Sequence, residues 1–127
     1  MVTVDEHKVK RSNHWFEKNT QGIWERNLLP FWKEREGIEY LELGVCEGAS
    51  MMWILDNLDI KIAMGVDHYQ PPREKQAEAF QDYEKNARHN LAPWIDGGVL
   101  SVQKENTFEW LVDSIHSMNM QPDSQKD

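Results

Sequence analysis

A chain of 127 residues with a single cysteine has room for one small domain, and it can form neither an intrachain disulfide nor a cysteine-built zinc site. Its 22 acids against 14 lysines and arginines leave a net charge of −8, which repels a phosphate backbone, so nucleic acid is not an expected partner. No apolar run approaches the length of a membrane span or a signal-peptide core, so a cytoplasmic protein without membrane contact is expected.

Residues 1–13 are polar and expected to be loose. The stretch 14–32 gathers Trp15, Phe16, Trp24, Phe31 and Trp32, and the four-residue spacing of Trp24 and Leu28 predicts a helix that Pro30 stops or kinks. Ile38 to Leu43, closing on Gly44, predicts a short buried strand. Ala49 to Leu58 predicts a helix apolar around most of its circumference, which must be covered on both sides. Ile60 to Val66 predicts a second strand, ending in Asp67, and Pro71-Pro72 a loop. Glu74 to Leu91 predicts a long amphipathic helix with Ala77, Phe80, Tyr83, Ala87 and Leu91 on one face. After a Gly97-Gly98 turn, Val99 to Val102 predicts a third strand. Thr107 to Met118 predicts a last helix, capped by Asn106, with Phe108, Leu111, Val112 and Ile115 facing inward. The tail 121–127 is polar and expected to fray.

Strands alternating with helices imply an α/β unit with a parallel sheet. A single domain is expected over residues 14–120. In such sheets ligands bind beyond the carboxyl ends of the strands, so the loops after Leu43, Val66 and Val102 share the edge where chemistry is expected.

The first of these loops reads Glu42-Leu43-Gly44-Val45-Cys46-Glu47-Gly48-Ala49-Ser50. Gly44 suits a tight turn, and Gly48 lets a ligand approach the start of the following helix, whose free N–H groups seat an anion. Asp67, roughly 20 residues further on, has the chemistry to accept hydrogen bonds from a ribose diol. The spacing G-x-x-x-G lacks the middle glycine of a dinucleotide loop, and no lysine follows Gly48 as a P-loop requires. An adenosine ligand without a pyrophosphate remains, with a dehydrogenase fragment as an alternative α/β reading.

The run Tyr40 to Ser50, followed by Gly65-Val66-Asp67, resembles the first two motifs of class I S-adenosylmethionine-dependent methyltransferases. It is most similar to a bacterial and viral branch in which the loop reads roughly E-[IL]-G-x-x-E-G-x-S ahead of a tryptophan-bearing helix, here the helix with Trp53. The resemblance implies a Rossmann-like methyltransferase fold and S-adenosylmethionine as cofactor. It implies that Glu42, Gly44 and Gly48 line the methionine side, that Asp67 holds the ribose, and that His68 and Tyr69 lie near the adenine, bordered by Gln103 to Asn106. The family continues into a fourth strand and beyond, whereas this pattern is truncated after three parallel strand–helix units preceded by an N-terminal helical segment. Cofactor binding is therefore implied more strongly than turnover. The acceptor is expected to be a small molecule or sugar, and a homo-oligomer or partner chain is a candidate for completing the sheet. A non-catalytic binding or assembly module is the alternative.

Other residues are read plainly. Glu47 is expected to be exposed and Cys46 to fill the loop. His7, His14, His89 and His116 show no metal spacing. The six tryptophans are expected mainly in packing, with Trp15, Trp24 and Trp32 also candidates for a lid.

Overall fold

The computed structural model describes residues 8–69 and 82–119. The expected Pro71-Pro72 loop, the helical positions Ala77 and Phe80, and the tail 121–127 lie outside them.

The aromatic N-terminal stretch forms three short helices: α1 (Trp15–Asn19), α2 (Gln21–Asn27) and α3 (Leu29–Trp32). The helix carrying Trp24 ends at Asn27, just ahead of Pro30 as expected, and the chain resumes as α3. Pro30 sits in the first turn of α3, where a missing N–H leaves no helical bond unmade. Then follow β1 (Ile38–Leu43), α4 (Ala49–Asn57), β2 (Ile60–Asp67), α5 (Tyr83–Asp96), β3 (Leu100–Lys104) and α6 (Thr107–Asn119). Helix α5 continues past Leu91 through Pro93. The chain leaves it at Gly97-Gly98, where Gly97 N–H donates to the Pro93 carbonyl and Val99 N–H to that of Trp94.

The three strands form one parallel sheet in the order β1-β2-β3, consistent with a Rossmann-like unit. The core lies on one face. Met51 and Met52 of α4, and Tyr83, Ala87 and Leu91 of α5, pack with Ala63 and Leu100 of the sheet, joined by Val45 and Tyr69 from the loops. Alternation in β1 runs opposite to composition. Leu41 and Leu43 are exposed, whereas Glu42 between them is buried.

The second sheet face exposes Leu41, Leu43 and Ile62. The expectation that Phe108, Leu111, Val112 and Ile115 face inward is overturned, since Phe108 is 74% exposed and the other three are also exposed. Helical spacing establishes only that these residues share a face. Covering that face needs a further layer, and the described residues supply none.

Close packing imposes one sharp demand on β2. A Cβ on Gly65 would stand 2.6 Å from Val45 Cγ2 and 3.3 Å from Met51 Cε. Val45 is short, β-branched and fully buried, so it has no room to yield. Gly65→Ala is expected to destabilise the fold by ~1–3 kcal/mol, the usual scale of overpacking. Urea unfolding should show a lower midpoint with an unchanged slope.

Candidate functional site

The loop between β1 and α4 is shaped by an unusual backbone. Gly44 and Gly48 have φ of +88° and +91°, and Cys46, with no such freedom, has φ of +53°. A non-glycine residue there costs of order 1–3 kcal/mol and persists only when its surroundings hold it. Asp67 does so. Its Oδ2 accepts from the Val45 and Cys46 N–H groups at 2.8 Å each. Its Oδ1 accepts from Tyr69 N–H at 2.8 Å, and Tyr69 is, among the described residues, the other non-glycine residue at positive φ, +55°. One carboxylate thus holds both strained residues and ties the loop after β1 to the loop after β2. The end of β3 joins them, since Glu105 N–H donates to the Asp67 carbonyl at 3.1 Å.

The two loop glycines answer different needs. A Cβ at Gly48 would meet Leu91 at 3.0 Å, so packing of α5 against the start of α4 already requires glycine there. A Cβ at Gly44 would meet nothing within 4 Å, so this glycine borders open space and is required by its φ alone.

That open space is a groove of about 500 Å³ running from Trp15, Phe16, Asn19 and Trp24 of α1 and α2 across to Glu42, Gly44 and Ser50. Trp24 stands edge-on to Trp53 of α4 at 5.6 Å and to Phe16 at 5.1 Å, which fixes the aromatic wall. Glu42 Oε1 accepts from Ser50 Oγ at 2.7 Å and Tyr40 Oη at 2.9 Å, while Oε2 is buried without a partner. Burial raises the Glu42 pKa to about 7, against the two hydrogen bonds that lower it, and the Asp67 charge raises it further. Tyr40 is pushed above the ordinary phenol range, first by burial and then by the Glu42 charge.

A second, smaller cavity of about 90 Å³ separates the loop from the N-terminal segment and is lined by Arg11, Asn13, Trp15, Gly44, Ala49 and Ser50, among others. Its roof is anchored by polar groups that sequence reading missed. Glu47, expected to be exposed, is 1% exposed. It accepts from Ser12 N–H at 2.9 and 3.0 Å, Asn13 Nδ2 at 3.1 Å and Asn86 Nδ2 at 2.7 Å. Glu47 turns inward because these donors surround it. Asn90, fully buried, exchanges hydrogen bonds with Lys10 N–H and carbonyl at 2.6 and 2.8 Å and donates to the Glu47 carbonyl at 2.9 Å. Residues 8–13, expected to be loose, therefore lie as a strap across the glycine loop.

Of the expected site residues, Glu42, Gly44, Gly48 and Asp67 come together around the loop. His68 and Tyr69 follow Asp67 directly but line neither cavity. Tyr69 is buried, with no partner for its hydroxyl. Burial, followed by the Asp67 charge, raises its pKa. The larger depression of about 560 Å³, along Glu105, Glu109, Trp110 and Asp113, is lined by none of the expected cofactor residues except Glu105 and Asn106 of the implied adenine border. Among the described residues no cluster of histidine, cysteine and acids is arranged to hold a metal, and no helix is long and apolar enough to cross a membrane. Comparison with protein-family models, curated proteins and solved structures returns no match.

Glu42 makes stability depend on pH in a definite direction. Its folded pKa of about 7 lies above the ordinary 4.5, so the folded state holds its proton longer than the unfolded chain. Stability from this group is complete below pH 4.5 and declines as pH rises to about 7, by about 3 kcal/mol at most. Glu42→Gln keeps an acceptor for Tyr40 and Ser50 and removes the titration. The difference in unfolding free energy between the two proteins should therefore widen in favour of Glu42→Gln from pH 4.5 to 8. Parallel pH profiles would show that Glu42 is solvated.

Proposed function

We propose that the chain binds S-adenosylmethionine at the β1–α4 loop and serves as the cofactor-binding part of a methyltransferase acting on a small molecule or sugar. The observation that carries this reading is the groove beside Gly44, with the unpartnered Oε2 of buried Glu42 in its wall and Asp67 at the next strand end. Its size falls within the usual range for small-ligand sites. The residues fit the cofactor's two ends. Glu42 supplies an acceptor for the ammonium of the methionine end. The open backbone at Gly44 admits close approach. Asp67 has about four acceptor positions, of which three are taken by backbone N–H groups. It therefore has one left for a ribose hydroxyl and would release a loop N–H to take the second.

When bound, the cofactor supplies an electrophilic methyl on a sulfonium, already joined to its leaving group. The aromatic wall of Trp15, Phe16 and Trp24 offers rings to a cation in the groove. Glu42, titrating near neutrality, is a group able to hold or release a proton there, although its bonds to Tyr40 and Ser50 fit an anchoring role better.

Calorimetric titration with S-adenosylmethionine and S-adenosylhomocysteine, against NAD and ATP, tests the reading. Selective binding of the two adenosyl ligands is expected. Asp67→Asn, which keeps a carbonyl for the loop N–H groups, should weaken it about ten-fold or more, the scale of a charge-assisted hydrogen bond. Preference for NAD would instead favour the dehydrogenase alternative, and no binding by the folded chain would remove the cofactor reading.

A second reading, an assembly module whose sheet is completed by a partner or a second copy, is favoured by one observation. Leu41, Leu43 and Ile62 on the sheet and Phe108, Ile115 and Met118 on α6 are exposed together. Parallel sheets are ordinarily covered on both faces. On this reading sedimentation shows concentration-dependent association that the double variant Leu41→Lys/Ile115→Lys returns to monomer. A monomer at all concentrations would dismiss self-association.

A further inference from the structure

The groove beside Gly44 follows a free edge of the sheet. Among the described residues β1 has β2 on one side and no strand on the other. Gly44 N–H donates to the Val66 carbonyl, so Gly44, and with it Glu42 and Tyr40, turns its backbone groups toward β2. By the alternation of a parallel ladder, the N–H and C=O of Leu41 and Leu43 point outward. Tyr40 through Gly44 line the groove in unbroken succession, although side chains along the strand alternate between the two sheet faces. Successive residues share one wall only where a strand is met along its edge. Trp15, Phe16 and Trp24 stand opposite, and no described residue of β2 or β3 lines the space.

The groove therefore has the form of a slot for a strand, with unpaired backbone groups on one side and an aromatic wall on the other. The β1 residues lining it span about 13 Å at ~3.3 Å per residue, room for a segment of about five residues. In such pairing the main chain gives affinity and the alternating side chains give specificity.

Charge sets the occupant. Among the described residues Glu42 is the one charged group lining the groove; it is 8% exposed, and its Oε2 has no partner. A strand residue paired with Glu42 points to the same sheet face, so a lysine or arginine there meets both the carboxylate and the aromatic wall. The residues on either side of it point to the other face, beside the exposed Leu41 and Leu43, where apolar side chains are covered. A net charge of −8 disfavours a second copy of this chain as the occupant.

We propose that the free edge of β1 takes, as an added strand, an extended segment of a partner protein with Lys or Arg between two apolar residues. The proposal rests on the assembly reading and gives its partner a definite chemistry. The segment and the proposed cofactor both call on Glu42, so they exclude each other there.

The test uses the capped peptide Thr-Val-Lys-Val-Thr and its analogue with norleucine for lysine, followed by amide NMR and hydrogen exchange. In the free chain the Leu41 and Leu43 amides should exchange fast, while those of Glu42 and Gly44 are protected. The lysine peptide should shift and protect the Leu41 and Leu43 amides. Above the Glu42 pKa of about 7, it should bind about ten-fold more tightly than the norleucine peptide. Glu42→Gln should bring the two within about three-fold of each other. N-methylation of the peptide backbone should abolish binding. Equal affinity of the native chain for both peptides, binding that survives N-methylation, or no shift at Leu41 and Leu43 overturns the proposal. Protection of those two amides in the free chain also overturns it: protection that grows with concentration assigns the edge to a second copy, and constant protection to the chain's own residues. Self-association that leaves Leu41 and Leu43 exchanging fast keeps the assembly reading and removes the strand slot. Peptide binding by a chain that stays monomeric upholds the slot and dismisses self-association. S-adenosylmethionine should compete with the lysine peptide, and joint binding of the two overturns the proposal. Failure of S-adenosylmethionine to bind removes the cofactor reading alone and leaves the peptide result standing.

Discussion

The carboxylate of Asp67 is the constraint on which the site depends. It is one side chain holding three N–H groups from two loops, and two of those groups belong to Cys46 and Tyr69 in left-handed conformations. Without that anchor the β1–α4 loop has little reason to keep a non-glycine residue at positive φ, because hydrogen bonds of this charge-assisted kind, worth ~1.5–3 kcal/mol each, match the strain they oppose. The same carboxylate is the group a ribose would address. On the proposed reading, cofactor binding and loop conformation would be coupled through one residue, with a ligand hydroxyl at Asp67 competing with the bonds that shape the loop beneath it.

A second polar centre works on the other side of the loop. Glu47 and Asn90 are buried among apolar neighbours such as Leu91 and Val45, and every interaction they make ties the strap, the loop and α5 to one another. Buried polar groups so connected favour one arrangement over the many that apolar contacts alone would allow. The arrangement they fix includes Trp15, which meets Tyr83 edge-on at 6.4 Å and forms part of the groove wall. The wall of the groove and the base of the glycine loop thus belong to one hydrogen-bonded unit.

Much of this fold was legible in the sequence. The strands at Ile38, Ile60 and Leu100 follow from short apolar runs ending at glycine or an acid, and the loop's glycines mark where the backbone turns. Asn90 was legible in principle, since it lies three residues after Ala87 and beside Leu91, on the buried face of α5. An amide on an apolar stripe signals a partner to be found. Lys10, Ser12 and Asn13 gave no such signal, because their importance comes from contacts with residues 47 and 90, far along the chain. The exposed stripe of α6 shows the complementary failure. Periodicity identifies a face and is silent about what covers it.

Glu42 is where local pattern and tertiary structure disagree most. In a strand whose leucines and Glu39 are exposed, Glu42 is buried, against the ordinary cost of taking a carboxylate out of water. Burial outweighs the bonds from Ser50 and Tyr40, so the carboxyl is pushed above its ordinary range. A glutamine would accept both bonds without the charge, so the fold alone gives no reason for an acid. What separates the acid from the amide is the second oxygen, buried and unpartnered, and the negative charge it shares. A cationic donor arriving from the groove would satisfy both, and binding would then draw on the free energy that burial has left unspent.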